Sequence, residues 1–157
     1  MTQIFINGKE ISVPENSSVL DAINISGTPI AQLCKDPDMK AIGACRTCLV
    51  EIDGIRGYPA SCSTPASAGM KISTKGDQLN FIRKGVLELT AGMVDSNKED
   101  FRELSRTIDA NEATADTWKS RIREKIDDSN PVFNIEMESC ILCGRCAQAC
   151  QSGHQFI

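Results

Sequence analysis

The sequence predicts an α+β protein, with a small β-grasp-like sheet first, a helical stretch next and a compact cysteine-rich segment last. Three observations carry this. Residues 3–13 read as a hairpin around Asn7-Gly8, a two-residue turn whose ease at positive φ favours hairpins. After Gly76 the apolar period changes from two residues to 3.6, the signature of helices replacing strands. The eight cysteines fall into two sets, Cys34, Cys45, Cys48, Cys62 and Cys140, Cys143, Cys146, Cys150.

In order along the chain, residues 3–6 and 9–13 read as the two strands of the hairpin. Pro14 ends the second strand, Ser17 or Ser18 caps the next element, and Val19, Leu20 and Ile23 line a short helix stopped near Gly27. From 28 to 47 periodicity gives way to prolines, Gly43 and cysteines, the composition of a long functional loop. Strand character returns at 49–52, turns at Asp53-Gly54, continues weakly over 58–62 and recurs at 70–74. A four- or five-stranded mixed sheet crossed by one helix is expected, ending near residue 76. Leu79, Ile82, Val86, Leu89 and Met93 are spaced for the inner face of a helix over 77–94. A second helix opens on the capping box Ser96-Asn97-Lys98-Glu99 and turns Phe101, Leu104 and Ile108 inward. A third, over 112–126, carries Trp118, Ile122 and Ile126 on one face. Packing, rather than a cofactor box, explains such stripes. Residues 127–131 break the last helix, and 132–135 read as a short strand leading to Cys140. Three regions result: 1–76, a helical spacer over 77–130, and a cluster-binding segment over 131–157.

Composition narrows the function. A net charge of -4 and no run of basic residues leave no footprint for a nucleic-acid backbone. The start lacks a basic region followed by an apolar one, and no stretch approaches a membrane span, so a soluble, cytoplasmic protein without membrane insertion is expected. Cysteines there are kept reduced, which favours metal ligation over disulfides. With His154 as the single histidine, histidine-based metal sites and nucleophile–histidine arrangements are disfavoured. No glycine-rich nucleotide loop and no acid–base constellation appears, so no catalytic residue is assigned.

The second cysteine set is the sharper signal. Its C-x2-C-x2-C-x3-C spacing lets a loop running into a helix wrap thiolates around one face of a [4Fe-4S] cluster. Zinc prefers two separated pairs and fits it poorly. In two-cluster repeats the fourth cysteine serves the other cluster, yet no second run exists in the chain. Cys146 and Cys150 are i and i+4, so Cys150 is expected to close the same cluster, the alternative being one shared with a partner. The first set, C-x10-C-x2-C-x13-C, offers two thiolates to each iron of a two-iron cluster, while zinc stays open from spacing alone. Gly43, Ala44 and Ser61 permit backbone N–H groups to approach the sulfurs.

The hairpin start, the set Cys34, Cys45, Cys48, Cys62, the phrase Asp127-Asp128-Ser129-Asn130-Pro131 and the run from Cys140 to Cys146 together resemble a known region. It is the N-terminal iron–sulfur region of the complex I large iron–sulfur subunit. The same region occurs in iron-only hydrogenases, NAD-dependent formate dehydrogenases and the small diaphorase subunit of NAD-reducing hydrogenases. The resemblance implies a plant-type [2Fe-2S] ferredoxin-like domain holding its cluster on Cys34, Cys45, Cys48 and Cys62. It also implies a [4Fe-4S] ferredoxin-like motif on Cys140, Cys143 and Cys146. Two departures stand out. The family's middle cluster, held by one histidine and three cysteines, has no ligands here across 89–102, and a further cysteine run and a catalytic domain do not follow. The implied function is an electron-transfer iron–sulfur subunit in a hetero-oligomeric NAD(P)H-linked oxidoreductase, with an electron-bifurcating, ferredoxin-dependent complex within its scope. It would relay single electrons between a flavoprotein subunit and a second flavoprotein or ferredoxin. Two alternatives are kept: the truncated electron-input region of a hydrogenase or formate dehydrogenase, and a zinc-stabilised scaffold without redox activity.

Overall fold

The computed structural model of the chain describes residues 1–94, 126–129 and 131–150. The expected helices beginning at Ser96 and Glu112 fall almost wholly outside these residues.

Strands β1 (Thr2–Ile6) and β2 (Lys9–Val13) form the expected hairpin, in register from Thr2 opposite Val13 to Ile6 opposite Lys9. Asn7 and Gly8 both take positive φ, 50° and 81°, as a turn matched to strand twist requires. Of the two candidate caps, Ser18 is the one used by helix α1 (Val19–Ile25). Its hydroxyl oxygen accepts from the Asp21 N–H at 3.1 Å, while the Asp21 carboxylate accepts from the Ser18 N–H at 2.9 Å. Strands β3 (Glu51–Ile52) and β4 (Lys71–Ser73) complete a four-stranded mixed sheet in the order β2-β1-β4-β3, with β1 and β4 parallel. The strand read over 49–52 is shorter in the fold, because Leu49 leaves the sheet to bridge Ala60 beside the second loop. Ile6, Ile72 and Ile52 lie side by side across three strands, and with Ile4, Val13, Leu20 and Ile23 they form a buried core between sheet and α1. Each such side chain contributes about 1.5–3 kcal/mol when fully buried.

Helix α2 (Asp77–Ala91) is present, but its buried face differs from the apolar stripe. Leu79, Arg83, Leu87, Thr90 and Ala91 point inward, whereas Leu89 is 40% exposed and Ile82, Val86 and Met93 are half-buried. An arginine can take a core position here because backbone carbonyls from two other segments receive it, information that periodicity does not hold. Leu79 enters the main core. Leu87 and Ala91 join Ala31 and Val94 in a second, smaller one.

The end of the expected third helix also differs. Ile126, expected on a helical face, lies in β5 (Ile126–Asp127), which pairs antiparallel with β6 (Ile135–Glu136). The short strand read from 132 therefore starts later, and Val132 is 88% exposed. A 3-10 turn, Met137–Ser139, then delivers Cys140, and helix α3 (Arg145–Ala149) follows the cysteine loop. Among the described residues no helix is long and apolar enough to cross a membrane.

Candidate metal centres

The first cysteine set is gathered by the irregular segment between α1 and β3 and by the 3-10 turn Ser61–Ser63. Cys34, Cys48 and Cys62 are buried, Cys48 at 1% exposure, and Cys45 is half-buried. Several hydrogen bonds fix the loop. The Cys45 N–H donates to the Cys34 sulfur at 3.5 Å, and the Cys48 carbonyl accepts from both the N–H and the hydroxyl of Ser61, at 3.0 and 2.8 Å. The fully buried Thr47 accepts from the Leu33 N–H at 3.3 Å, and its hydroxyl lies 3.1 Å from the Cys45 sulfur. Gly43 holds φ 66°, and its backbone lies near enough to Cys62 to work against the rise of that thiol. A Cβ at Gly43 would come within 3.1 Å of the Ser63 hydroxyl and 3.3 Å of the Ala60 side chain, so glycine is what lets this backbone approach the sulfur. Arg46, between the central two cysteines, sits at φ 57°, a strained conformation for a residue with a side chain.

The four thiols meet as two pairs. Cys34 and Cys45 are shifted in opposite directions: the side-chain bond to Cys45 and then burial push the Cys34 thiol up, while the bond from Cys34 holds Cys45 down. Cys62 is raised to about 11, first by burial and then by the charge of its neighbour Cys48. Cys45 and Cys62 also feel one another across the pairs. Two thiol pairs facing each other are what a two-iron centre takes, one pair per iron. The donor set therefore fits a [2Fe-2S] cluster, with the pairs 34/45 and 48/62 to hold it.

The second set is built locally. Residues 140–144 form a loop in which Leu142 and Gly144 take left-handed φ of 54° and 71°, curling the chain before α3 begins. Cys140, Cys143 and Cys146 line one cavity of about 460 Å³, together with Leu33 from the first cysteine loop. That size and all-sulfur donor set fit a cubane cluster. Cys150 does not line it; it caps α3, one turn beyond Cys146, its N–H donating to the Cys146 carbonyl at 3.2 Å. Cys146 is exposed, and the other three are half-buried.

The two sites are neighbours. Arg145, inside the second motif, pairs with Asp36, two residues past Cys34, at 2.8 Å. Ile141 packs on the small core of Ala31, Leu87, Ala91 and Val94. No sequence motif marks either the ion pair or the inward arginine of α2. Arg83 has a signal, since it lies four residues from both Leu79 and Leu87, but its charge hides it.

This fold and these thiol groups define an iron–sulfur protein with one centre of each type. Residues 1–77 match the 2Fe-2S iron-sulfur cluster binding domain, and residues 133–153 match the 4Fe-4S binding domain. Zinc in the first set, and with it the zinc scaffold, gives way to one [2Fe-2S] and one [4Fe-4S] cluster. The chain is 30% identical over 156 residues to the NADPH-Fe(3+) oxidoreductase subunit alpha of Geobacter sulfurreducens, covering 94% of this chain and 18% of that one. It is 29% identical over 154 residues to a mitochondrial NADH dehydrogenase [ubiquinone] iron-sulfur protein 1 of Solanum tuberosum, covering 93% and 21%. It thus spans about a fifth of the length of these relatives. A chain of an NAD+-reducing [NiFe]-hydrogenase, solved in the H2-reduced state, superposes with a TM-score of 0.77 at 26% identity, over 94% of this chain and 65% of that one.

Proposed function

We propose that this chain relays single electrons within an NAD(P)H-linked oxidoreductase complex, between a flavoprotein subunit that handles the nicotinamide and a second redox partner. The observation that carries the reading is the juxtaposition of the two thiol sites, joined by Arg145 and Asp36 at 2.8 Å and sharing Leu33. Electron transfer favours closely spaced centres, and the Arg145–Asp36 pair and Leu33 bring the two thiol segments side by side. When bound, the clusters supply the one-electron chemistry; the protein sets their burial, hydrogen bonds and spacing. Cys34, Cys45, Cys48 and Cys62 would hold the [2Fe-2S] centre, and Thr47 and Gly43 direct donors at its sulfurs. Cys140, Cys143 and Cys146 would hold the [4Fe-4S] centre, with Cys150 as fourth ligand.

The finer form of the proposal is a cytoplasmic hetero-oligomer, with electron bifurcation to ferredoxin within its range. A second reading, the electron-input region of a larger catalytic chain, is favoured by the small share of each curated relative that this chain covers. Native, anaerobic purification tests both. A copurifying flavin-containing subunit, through which NADH or NADPH bleaches both clusters, is the expected result. Reduction of the clusters by NAD(P)H with no flavoprotein present would overturn the relay.

A further inference from the structure

Arg83 is a buried charge that takes no part in ligation at either thiol site. It is 4% exposed and projects from α2 beneath the first cysteine loop. Its Nε donates to the Leu49 carbonyl at 2.9 Å, Nη2 donates to the same oxygen, and Nη1 donates to the Thr74 carbonyl at 2.8 Å. Leu49 directly follows Cys48, so the guanidinium is tied to the backbone that presents that thiol. Among the described residues no carboxylate pairs with it. Its charged form is disfavoured by burial and then supported by the charge of Cys48, leaving it near 10 and so cationic at neutral pH.

An arginine buried without a counter-ion is costly, and an apolar residue of similar length would pack the same face of α2 more cheaply. The charge is compensated if negative charge accumulates next to it. A two-iron centre on four thiolates carries net negative charge, and one added electron increases it. On the reading that Cys34, Cys45, Cys48 and Cys62 hold that centre, we infer that Arg83 is a positioning residue for Cys48 and the fixed positive charge that raises the reduction potential of the [2Fe-2S] centre.

The test is a redox titration of the full chain, followed by the electron paramagnetic resonance of the reduced [2Fe-2S] centre, for wild type, Arg83→Gln and Arg83→Lys. The wild-type spectrum checks the assignment of the cluster itself, so failure there is distinct from failure of the inference. Arg83→Gln should lower the reduced-to-oxidised ratio at fixed potential by roughly tenfold, which is about 59 mV for a one-electron couple. Arg83→Lys should restore most of it, a rescue that a packing role does not predict. Loss of the cluster in Arg83→Gln with a wild-type-like potential in Arg83→Lys would equally support the inference. An unchanged potential in Arg83→Gln would overturn it, as would Arg83→Lys behaving like Arg83→Gln.

Discussion

The two cysteine sites differ in what holds them. The first is part of the main core: Cys48 and Cys62 are packed among Val50, Ala60 and Ile30, and the loop is pinned by Thr47, Ser61 and Arg83. The second stands nearer the surface, its exposed Cys146 on a helix of five residues, with Ile141 packed on the small core and Arg145 paired with Asp36. Both use one device, a left-handed residue inside the x2 spacer, Arg46 in one and Leu142 in the other. Each such residue costs on the order of 1–3 kcal/mol, which ligation would have to offset. The first site is therefore expected to fold with its domain, whereas loss of the second, a local loop, is expected to leave that domain folded.

Substitutions should separate the sites in that order. Cys48→Ser removes a buried thiol from the core and a proposed ligand from the first centre. Its [2Fe-2S] absorption should vanish and thermal unfolding should fall by on the order of 10 °C, because ligation energy is folding energy there. Cys143→Ser should abolish the [4Fe-4S] signal while the [2Fe-2S] signal and the melting of its domain stay put; a collapse of both would erase the contrast. In the same assay Cys150→Ala should cut [4Fe-4S] occupancy, though less than Cys143→Ser does, and full occupancy would move the fourth ligand to a partner chain. Thr47→Val deprives the Leu33 N–H of its acceptor and the Cys45 sulfur of a donor. A destabilisation of about 1–3 kcal/mol is expected in denaturant melts, with a lower [2Fe-2S] potential. Arg145→Ala should have the smallest effect on stability. The pair is partly exposed, 39% and 18%, and such contacts contribute up to about 1 kcal/mol. Its readout is the magnetic interaction between the reduced centres, which weakens if the second site is freed.

The features legible in the sequence are those encoded locally. The Asn7-Gly8 hairpin, the capped helix at Ser18 and both cysteine spacings are each set by residues close together in the chain. The inward face of α2 is not legible, since the apolar stripe of Ile82, Val86 and Leu89 competes with Leu79, Arg83 and Leu87, and only the carbonyls of Leu49 and Thr74 decide between them. The Arg145–Asp36 pair joins residues 109 apart and leaves no periodic trace. The strand at Ile126 depends likewise on Ile135 and Glu136 arriving as its partner.

The sharpest measurement is a stepwise reductive titration of the anaerobically purified chain, with iron counted and paramagnetic resonance recorded at each step. About six iron per chain, from one two-iron and one four-iron cluster, and two distinct one-electron signals that interact when both are present are the expected result. Colourless protein holding zinc, or two signals with no mutual interaction, would contradict a relay built from neighbouring centres.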